Sequence, residues 1–228
     1  MDGISLNKVD KMGGLSFEDG LRLHFDSILL FENKSYPSAY FLSVLAIEEI
    51  GKAWLIMYFL YQRVGERKEK EWEEKFLEPI YFHTAKQSSF AHNFDSPIAT
   101  NRFFKSLYKG ELEILKQNSV YVGLARNKRK INLKSRINNP LKIDQMKAQK
   151  QITNVNDCLL EFTLGVMKQV YYVDSYCVEN LLNNRLLSKL KNKWSLIGGK
   201  TKTRLKKLER IKWMGCAPSA NTVQTAYA

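Results

Sequence analysis

Three ionisable side chains interrupt the most apolar stretch of the sequence, residues 38–62, and they are the first candidates for chemistry. They are Glu48, Glu49 and Lys52. In a helix, at about 100° per residue, Lys52 projects between the two carboxylates and one turn further along the axis. Charges that are partly buried without a partner are strongly destabilising. We therefore expect a second helix to supply partners for these groups.

The expected partner helix covers residues 80–90 and carries His83 and Lys86 on one face, at positions i and i+3. A histidine beside carboxylates can take up and release a proton near neutral pH. Gly51 lowers helix propensity by about 1 kcal/mol relative to Ala, so its position beside the charges predicts a close approach by another backbone or side chain. The candidate catalytic residues are Glu48, Glu49, Lys52, His83 and Lys86.

A second interpretation of the same residues stays open. A buried network of ion pairs would fix the register of two helices without doing any chemistry. No metal site is predicted, because Glu48 and Glu49 diverge as neighbours on a helix, and no cofactor is predicted. His24 and His92 have fewer charged neighbours along the chain and are interpreted as structural.

The formal charge of +13 is concentrated in two segments. Residues 126–150 hold nine Lys and Arg against one Asp, and residues 185–212 hold eleven against one Glu. Such segments bind phosphate backbones or other acidic surfaces, although a solvated basic face gives the same pattern. The candidate nucleic-acid-binding residues in the first segment are Arg126, Lys128, Arg129, Lys130, Lys134 and Arg136.

Helical periodicity and few prolines predict an all-α, up-and-down helical bundle. We predict a first helix over 16–31, a second over 38–63 with Pro37 in its first turn, and a helix over 100–117. A long helix over 144–183 is expected to break near Gly165. The bundle is assigned to residues 1–184, followed by a basic C-terminal extension over 185–228. That extension contains a short helix over 202–214 and is expected to be disordered over 217–228.

Three widely spaced cysteines without a CxxC pair favour a reducing compartment over a disulfide framework or a zinc site. The first residues lack the apolar core of a secretory signal. Residues 38–62 are long enough to span a bilayer, but each of their three charges would cost about 2.5 to 3.5 kcal/mol on insertion. We therefore expect a cytoplasmic protein without a membrane partner.

Three short elements in order along the chain resemble the AbiV-type abortive-infection proteins, which belong to the HEPN superfamily of helical bundles. The first is A-x(5)-L-A-I-E-E-I-G-K-A at 39–53, the second is H-x-x-K at 83–86, and the third is L-K-Q-x-x-x-Y-V at 115–122. The resemblance covers residues 16–183. It implies a bacterial antiphage protein, cytoplasmic and homodimeric, that stops phage multiplication by blocking gene expression.

The chain departs from the superfamily in one respect that bears on catalysis. Many HEPN proteins are ribonucleases with an R-x(4–6)-H motif, and no histidine here has an arginine at that spacing. Ribonuclease activity is therefore left open. The first hypothesis is an effector that acts on RNA or the translation machinery. The alternative is a non-catalytic protein that binds a phage-encoded or host protein, with its buried charges purely structural.

Overall fold

Helices account for most of the residues described by the computed structural model, which are 4–63, 70–92, 109–124, 126–127 and 130–211. The helices in these ranges are α1 (Leu6–Glu32), α2 (Tyr36–Arg63), α3 (Lys70–Leu77), α4 (His83–His92), α5 (Glu111–Asn118), α6 (Gln145–Met167), α7 (Tyr176–Glu179), α8 (Asn184–Lys193) and α9 (Gly199–Glu209). Short 3-10 turns cover Glu78–Tyr81 and Pro140–Lys142, and two-residue strands β1 (Arg126–Asn127) and β2 (Lys130–Ile131) pair antiparallel. The predicted all-α bundle with a helical C-terminal extension is confirmed.

The two longest helices, α1 and α2, form a hairpin that supplies most of the core. The turn between them places Lys34 at a positive φ of 60°, and Pro37 lies in the first turn of α2, where its missing N–H has no helical partner to lose. Helix α2 reaches Arg63, the last described residue before the gap at 64–69. None of the helices in the described ranges combines the length and the apolar character that a membrane span requires.

Helix α1 begins at Leu6, ten residues before the start predicted at Ser16. Ser16 is buried within the helix and does not cap it. The extra turns contain Gly13 and Gly14, which are poor helix formers. A Cβ at Gly13 would lie 3.0 Å from Ile56 Cγ2, and one at Gly14 would lie 2.5 Å from Cys177 Cβ. Tertiary packing therefore extends this helix where local propensity does not.

Helix α6 closes the other side of the core. Trp54 of α2 packs edge-on to Phe162 of α6, with ring centroids 4.1 Å apart. Asp144 caps the helix by accepting a hydrogen bond from Lys147 N at 2.9 Å. The helix ends at Met167 rather than Asn183, and the break predicted near Gly165 is confirmed: the ring of Tyr171 folds back over Gly165, where a Cβ would overlap it.

The other predicted boundaries differ from the structure or lie outside it. Of the helix predicted over 100–117, the described part is α5, which begins at Glu111. The short C-terminal helix predicted over 202–214 is α9 and runs from Gly199 to Glu209. The disorder predicted for 217–228 concerns residues outside the described ranges.

His24 is buried in this core, in agreement with its interpretation as structural. Burial lowers the pKa of the His24 imidazole to about 4. The hydrogen bond between its Nε2 and Asn156 Oδ1, at 3.1 Å, raises the pKa but does not offset the effect of burial. In the unfolded chain this histidine has its ordinary pKa near 6.5. Between about pH 6.5 and pH 4 the unfolded chain is therefore protonated at His24, whereas the folded protein keeps the ring neutral. We therefore expect the free energy of unfolding to fall by about 3 kcal/mol through this group between pH 7 and pH 4.

The measurement is urea unfolding at several pH values for the wild type and for His24→Gln. The variant removes the titrating group while the carboxylates titrate in both proteins. Its stability should depend less on pH between 4 and 6.5. Parallel pH profiles for the two proteins would contradict the assignment.

Candidate functional site

The candidate site forms where α4 crosses α2 at Gly51. A Cβ at this position would overlap the carbonyl oxygen of Lys86 and lie 3.2 Å from Phe90 N. The close approach predicted from Gly51 is therefore confirmed, and the neighbour is the backbone of α4. This contact places one turn of α4 directly against Glu48.

Glu48 is the buried centre of the site, with 2% of its side chain exposed. Its Oε2 lies 2.7 Å from His83 Nδ1 and 4.0 Å from Lys86 Nζ. Its Oε1 accepts hydrogen bonds from Gln87 Nε2 at 2.8 Å and from Lys116 Nζ at 2.9 Å. His83, Lys86 and Gln87 reach the same carboxylate because positions i, i+3 and i+4 share one face of α4.

The bond to Glu48 determines which nitrogen of His83 carries a proton. An ionised carboxylate only accepts hydrogen bonds, so His83 Nδ1 must be the donor. The 3.4 Å approach of Lys116 Nζ to the same nitrogen is then a contact between two donors rather than a hydrogen bond. The His83 side chain is 54% exposed, and Nε2 is the nitrogen left to exchange a proton with a ligand.

Lys116 joins α5 to the site and is almost completely buried. Besides Glu48 it binds Glu113 Oε2 at 2.7 Å. Burial by itself would raise the pKa of the Glu113 carboxyl, but hydrogen bonds from Lys116 and Gln117, together with the charge of Lys116, lower it. The buried ammonium is thus neutralised by two carboxylates, as a buried charge requires.

Gln87, Glu113 and Lys116 were not among the residues predicted for the site. A signal existed for two of them. Gln87 lies one turn after His83, and Lys116 is the lysine of the L-K-Q element at 115–117. Only the fold reveals that α5 comes back to the same carboxylate, because the two segments are separated along the chain by residues 93–110.

Glu48, His83 and Glu113 also form a group whose possible metal-ligating atoms all lie within 4.8 Å of one another. Two carboxylates and an imidazole are a donor set that a divalent cation accepts. However, Lys116 Nζ bonds to both carboxylates of this group, at 2.9 Å and 2.7 Å. The ammonium takes the position between the carboxylates that a cation would need, so these residues do not fit a resident metal ion.

Glu49 and Lys52 stand apart from this network. Their side chains pair with each other at 3.4 Å and are 23% and 25% exposed. Neither makes a hydrogen bond or ion pair with Glu48 or His83 among the residues that the structure describes. Of the five residues predicted for the site, the fold therefore brings together Glu48, His83 and Lys86, and leaves the other two as a pair along α2.

A cleft of about 940 Å³ opens beside His83. Arg136 and Lys142 contribute positive charge to its walls, whereas the charges of the lining residues Lys116 and Glu113 are paired with each other. Tyr121 contributes an aromatic ring that is 66% exposed. The lining also contains polar residues, Gln117, Asn118 and Asn138, and a set of apolar side chains: Phe41, Leu45, Ile114, Val122, Leu124, Ile131 and Ile137. A pocket with cations and apolar walls suits an anionic ligand that also carries an aromatic ring, such as a nucleobase.

The predicted basic loop forms one wall of the cleft and is attached to the end of α5. Asn138 Nδ2 donates to the carbonyl oxygens of Asn118 at 3.0 Å and Tyr121 at 2.6 Å. The backbone N–H of Asn138 also donates to the carbonyl oxygen of Gly123. This Asn138 clamp sets the position of the loop relative to the helix that carries Lys116.

The six predicted nucleic-acid-binding residues have different outcomes. Arg136 lines the cleft and Lys134 is exposed beside it along the chain. Arg126 and Lys130 lie in β1 and β2, and only their backbone belongs to the described part. Lys128 and Arg129 lie outside the described residues.

A family model, HEPN_AbiV, described as AbiV, matches residues 14–161. The match includes α2, α4 and α5, which carry Glu48, His83 and Lys116. No curated protein and no solved structure matches the chain. The chain belongs to the AbiV family of HEPN proteins, which is a family of abortive-infection proteins.

Proposed function

We propose that the protein blocks phage multiplication by acting on RNA, and thereby on translation, in the cleft beside His83. Membership of the AbiV family supports a part in abortive infection. The cations of the cleft support an RNA target, because Lys and Arg side chains bind phosphate oxygens. An RNA target used in translation would place the protein in the cytoplasm.

The observation that carries the proposal is the pairing of a buried carboxylate with a half-exposed histidine at the edge of a cleft that Arg136 and Lys142 line. Glu48 holds His83 Nδ1 at 2.7 Å and so orients the ring with Nε2 available. A buried acid that orients an imidazole is the arrangement that makes a histidine an effective general base. The R-x(4–6)-H arginine is not needed for this pair to form.

The reaction that fits these groups is transesterification within the RNA backbone, in which the ribose 2′ oxygen displaces the 5′ oxygen from the adjacent phosphorus. His83 Nε2 would take the proton from a ribose 2′-hydroxyl, whose oxygen attacks the adjacent phosphorus. The bond from phosphorus to the 5′ oxygen breaks, and that oxygen takes a proton from water. Arg136 and Lys142, both exposed and both in the lining of the cleft, would offset the negative charge that develops on the phosphate.

The direct test replaces His83 with Asn, which can still donate to Glu48 but cannot exchange a proton at neutral pH. Purified protein is incubated with total RNA, with and without an extract of phage-infected cells, and the lengths of the RNAs are followed by gel electrophoresis. We expect His83→Asn to slow cleavage by about 100- to 10,000-fold, which is the usual contribution of a general base. Plaque formation should recover in cells that carry this variant.

The matched control is Thr84→Asn, an exposed neighbour on the same helix, which should leave both cleavage and defence unchanged. The melting temperature is measured for each variant, so that loss of folding is separated from loss of chemistry. RNA that stays intact with the wild type under all conditions, or cleavage that survives His83→Asn, would contradict the proposal. The non-catalytic alternative would then gain support if defence followed folding alone.

A further inference from the structure

Helices α8 and α9 lie beyond the end of the family match and are packed onto the bundle. The match ends at residue 161, whereas α8 and α9 cover Asn184–Lys193 and Gly199–Glu209. Their apolar side chains face inward: Leu186, Leu190, Leu205 and Leu208 are buried. Trp194, between the two helices, donates from Nε1 to Thr153 Oγ1 of α6 at 3.0 Å.

Two acidic residues near the end of the family match hold α9 in place. Asp157 Oδ2 accepts hydrogen bonds from Gly198 N at 3.0 Å and from Thr201 Oγ1 at 2.9 Å. Glu161 Oε1 pairs with Arg204 Nη1 at 2.9 Å. Because both carboxylates are buried, these contacts give the extension a defined orientation on α6.

The outward side of this segment carries a dense set of positive charges. Residues 184–209 contain nine Lys and Arg and a single acidic residue. Arg204 pairs with Glu161, and Lys191 pairs with Glu209 at 3.2 Å. The other seven have no ion-pair partner among the described residues and are exposed: Arg185, Lys189, Lys193, Lys200, Lys202, Lys206 and Lys207. We refer to these seven residues as the C-terminal basic face.

The other side chains of the segment restrict what this face can bind. Its one aromatic residue, Trp194, is buried, and the nearby ring of Phe25 is covered by Lys189 Nζ at 3.8 Å. Within residues 184–209 the face therefore offers no free ring on which the bases of a single strand could stack. Leu196 is the one exposed leucine of residues 184–209, whereas an amphipathic helix needs a wide apolar face to enter a bilayer. Lysine and arginine in such surroundings are suited to phosphate contacts.

We propose that the C-terminal basic face is a second RNA-binding surface, separate from the cleft, which holds a double-stranded stem by its phosphates. Duplex RNA is recognised mainly through its shape and backbone rather than through base edges, and it presents phosphates at high density. The inference rests on the proposed function for the choice of RNA as the target. The proposed surface lies outside the family match. It would hold a double-stranded stem of an RNA while a single-stranded segment of the same RNA enters the cleft.

The test compares two triple variants with the same change of charge. Lys202→Gln, Lys206→Gln and Lys207→Gln alter the C-terminal basic face. Lys8→Gln, Lys11→Gln and Lys75→Gln alter exposed lysines on α1 and α3. Binding of a 20-base-pair RNA duplex and of a single strand of the same length is measured by fluorescence anisotropy over a series of KCl concentrations.

We expect the first triple variant to bind the duplex about tenfold more weakly at 100 mM KCl. The slope of its affinity against salt concentration, on logarithmic axes, should fall by about one for each phosphate that the face no longer neutralises. The second triple variant should retain its affinity within about twofold, as expected for lysines that touch no phosphate. Equal losses of affinity in the two variants, or no loss in the first, would overturn the proposal. So would wild-type binding to phosphatidylserine vesicles that disappears in the first variant while duplex binding remains.

The same measurements with His83→Asn separate this proposal from the proposed function. The histidine variant should lose cleavage and keep duplex affinity, whereas the first triple variant should lose duplex affinity. Cleavage that survives His83→Asn refutes the chemistry in the cleft alone. Duplex affinity that survives the lysine changes refutes the second surface alone.

Discussion

Replacing Glu48 with alanine should lower the free energy of unfolding by about 3 to 5 kcal/mol, which is typical of breaking a buried ion pair from one side. The substitution removes the acceptor for His83, Gln87 and Lys116 at once. Among the described residues, Glu113 is then the one counter-ion that the buried Lys116 keeps. Urea unfolding followed by circular dichroism at 222 nm measures the loss.

The neighbouring carboxylate provides the matched control. Glu49 belongs to the same turn of α2, but its pair with Lys52 is partly exposed, so Glu49→Ala should cost about 0.5 kcal/mol or less. The double variant Glu48→Leu/Lys116→Met should lose less stability than the two single changes together, since it removes both buried charges. Equal losses for Glu48→Ala and Glu49→Ala would refute the central position of Glu48.

Replacing Gly51 with alanine should destabilise the protein by about 3 kcal/mol, at the upper end of the usual cost of overpacking. The added methyl group would overlap the carbonyl oxygen of Lys86. A backbone oxygen in a helix cannot rotate away as a side chain can, so α4 itself has to shift. That shift would also separate His83 from Glu48. Thermal unfolding and the RNA cleavage assay would report the two effects.

Gly199 is a suitable control for this substitution because it also lies in a helix and a Cβ there meets nothing within 4 Å. Gly199→Ala should leave stability unchanged or raise it by up to about 1 kcal/mol through helix propensity. If Gly51→Ala were as stable as Gly199→Ala, the close crossing of α2 and α4 would not exist in solution.

The sequence predicts half of the residues of the candidate site, because its patterns concern residues that are close along the chain or on one face of a helix. Glu48, His83 and Lys86 could be found because a charged residue in an apolar helix demands a partner, and two positions on one helix face can supply it. Gly51 could be interpreted because a glycine beside charges has a local cost. Lys116 could not be placed, since nothing local to α5 determines which face of the bundle it approaches.

The ends of the helices also differ in this way: some are set by local residues, and others by contacts with residues that are distant in sequence. Pro37 and Asp144 mark helix starts through their own backbone chemistry, and both helices begin within a residue or two of them. The start of α1 at Leu6 depends on Ile56 and Cys177, which are distant in sequence. Glu49 and Lys52 were assigned to the site because they lie near Glu48 around the axis of one helix. In the structure, the side chains of α4 form hydrogen bonds with Glu48 and, among the described residues, with neither of these two.

The Asn138 clamp connects the basic loop to the helix that carries Lys116. Asn138 is bonded to the carbonyl oxygen of Asn118, two residues after Lys116 on the same short helix. Any ligand that shifts the loop therefore pulls on the helix end that places the buried ammonium against Glu48. If a ligand on the loop alters the contacts of Lys116 with Glu48, then a change in those contacts must alter the affinity for that ligand by the same coupling free energy.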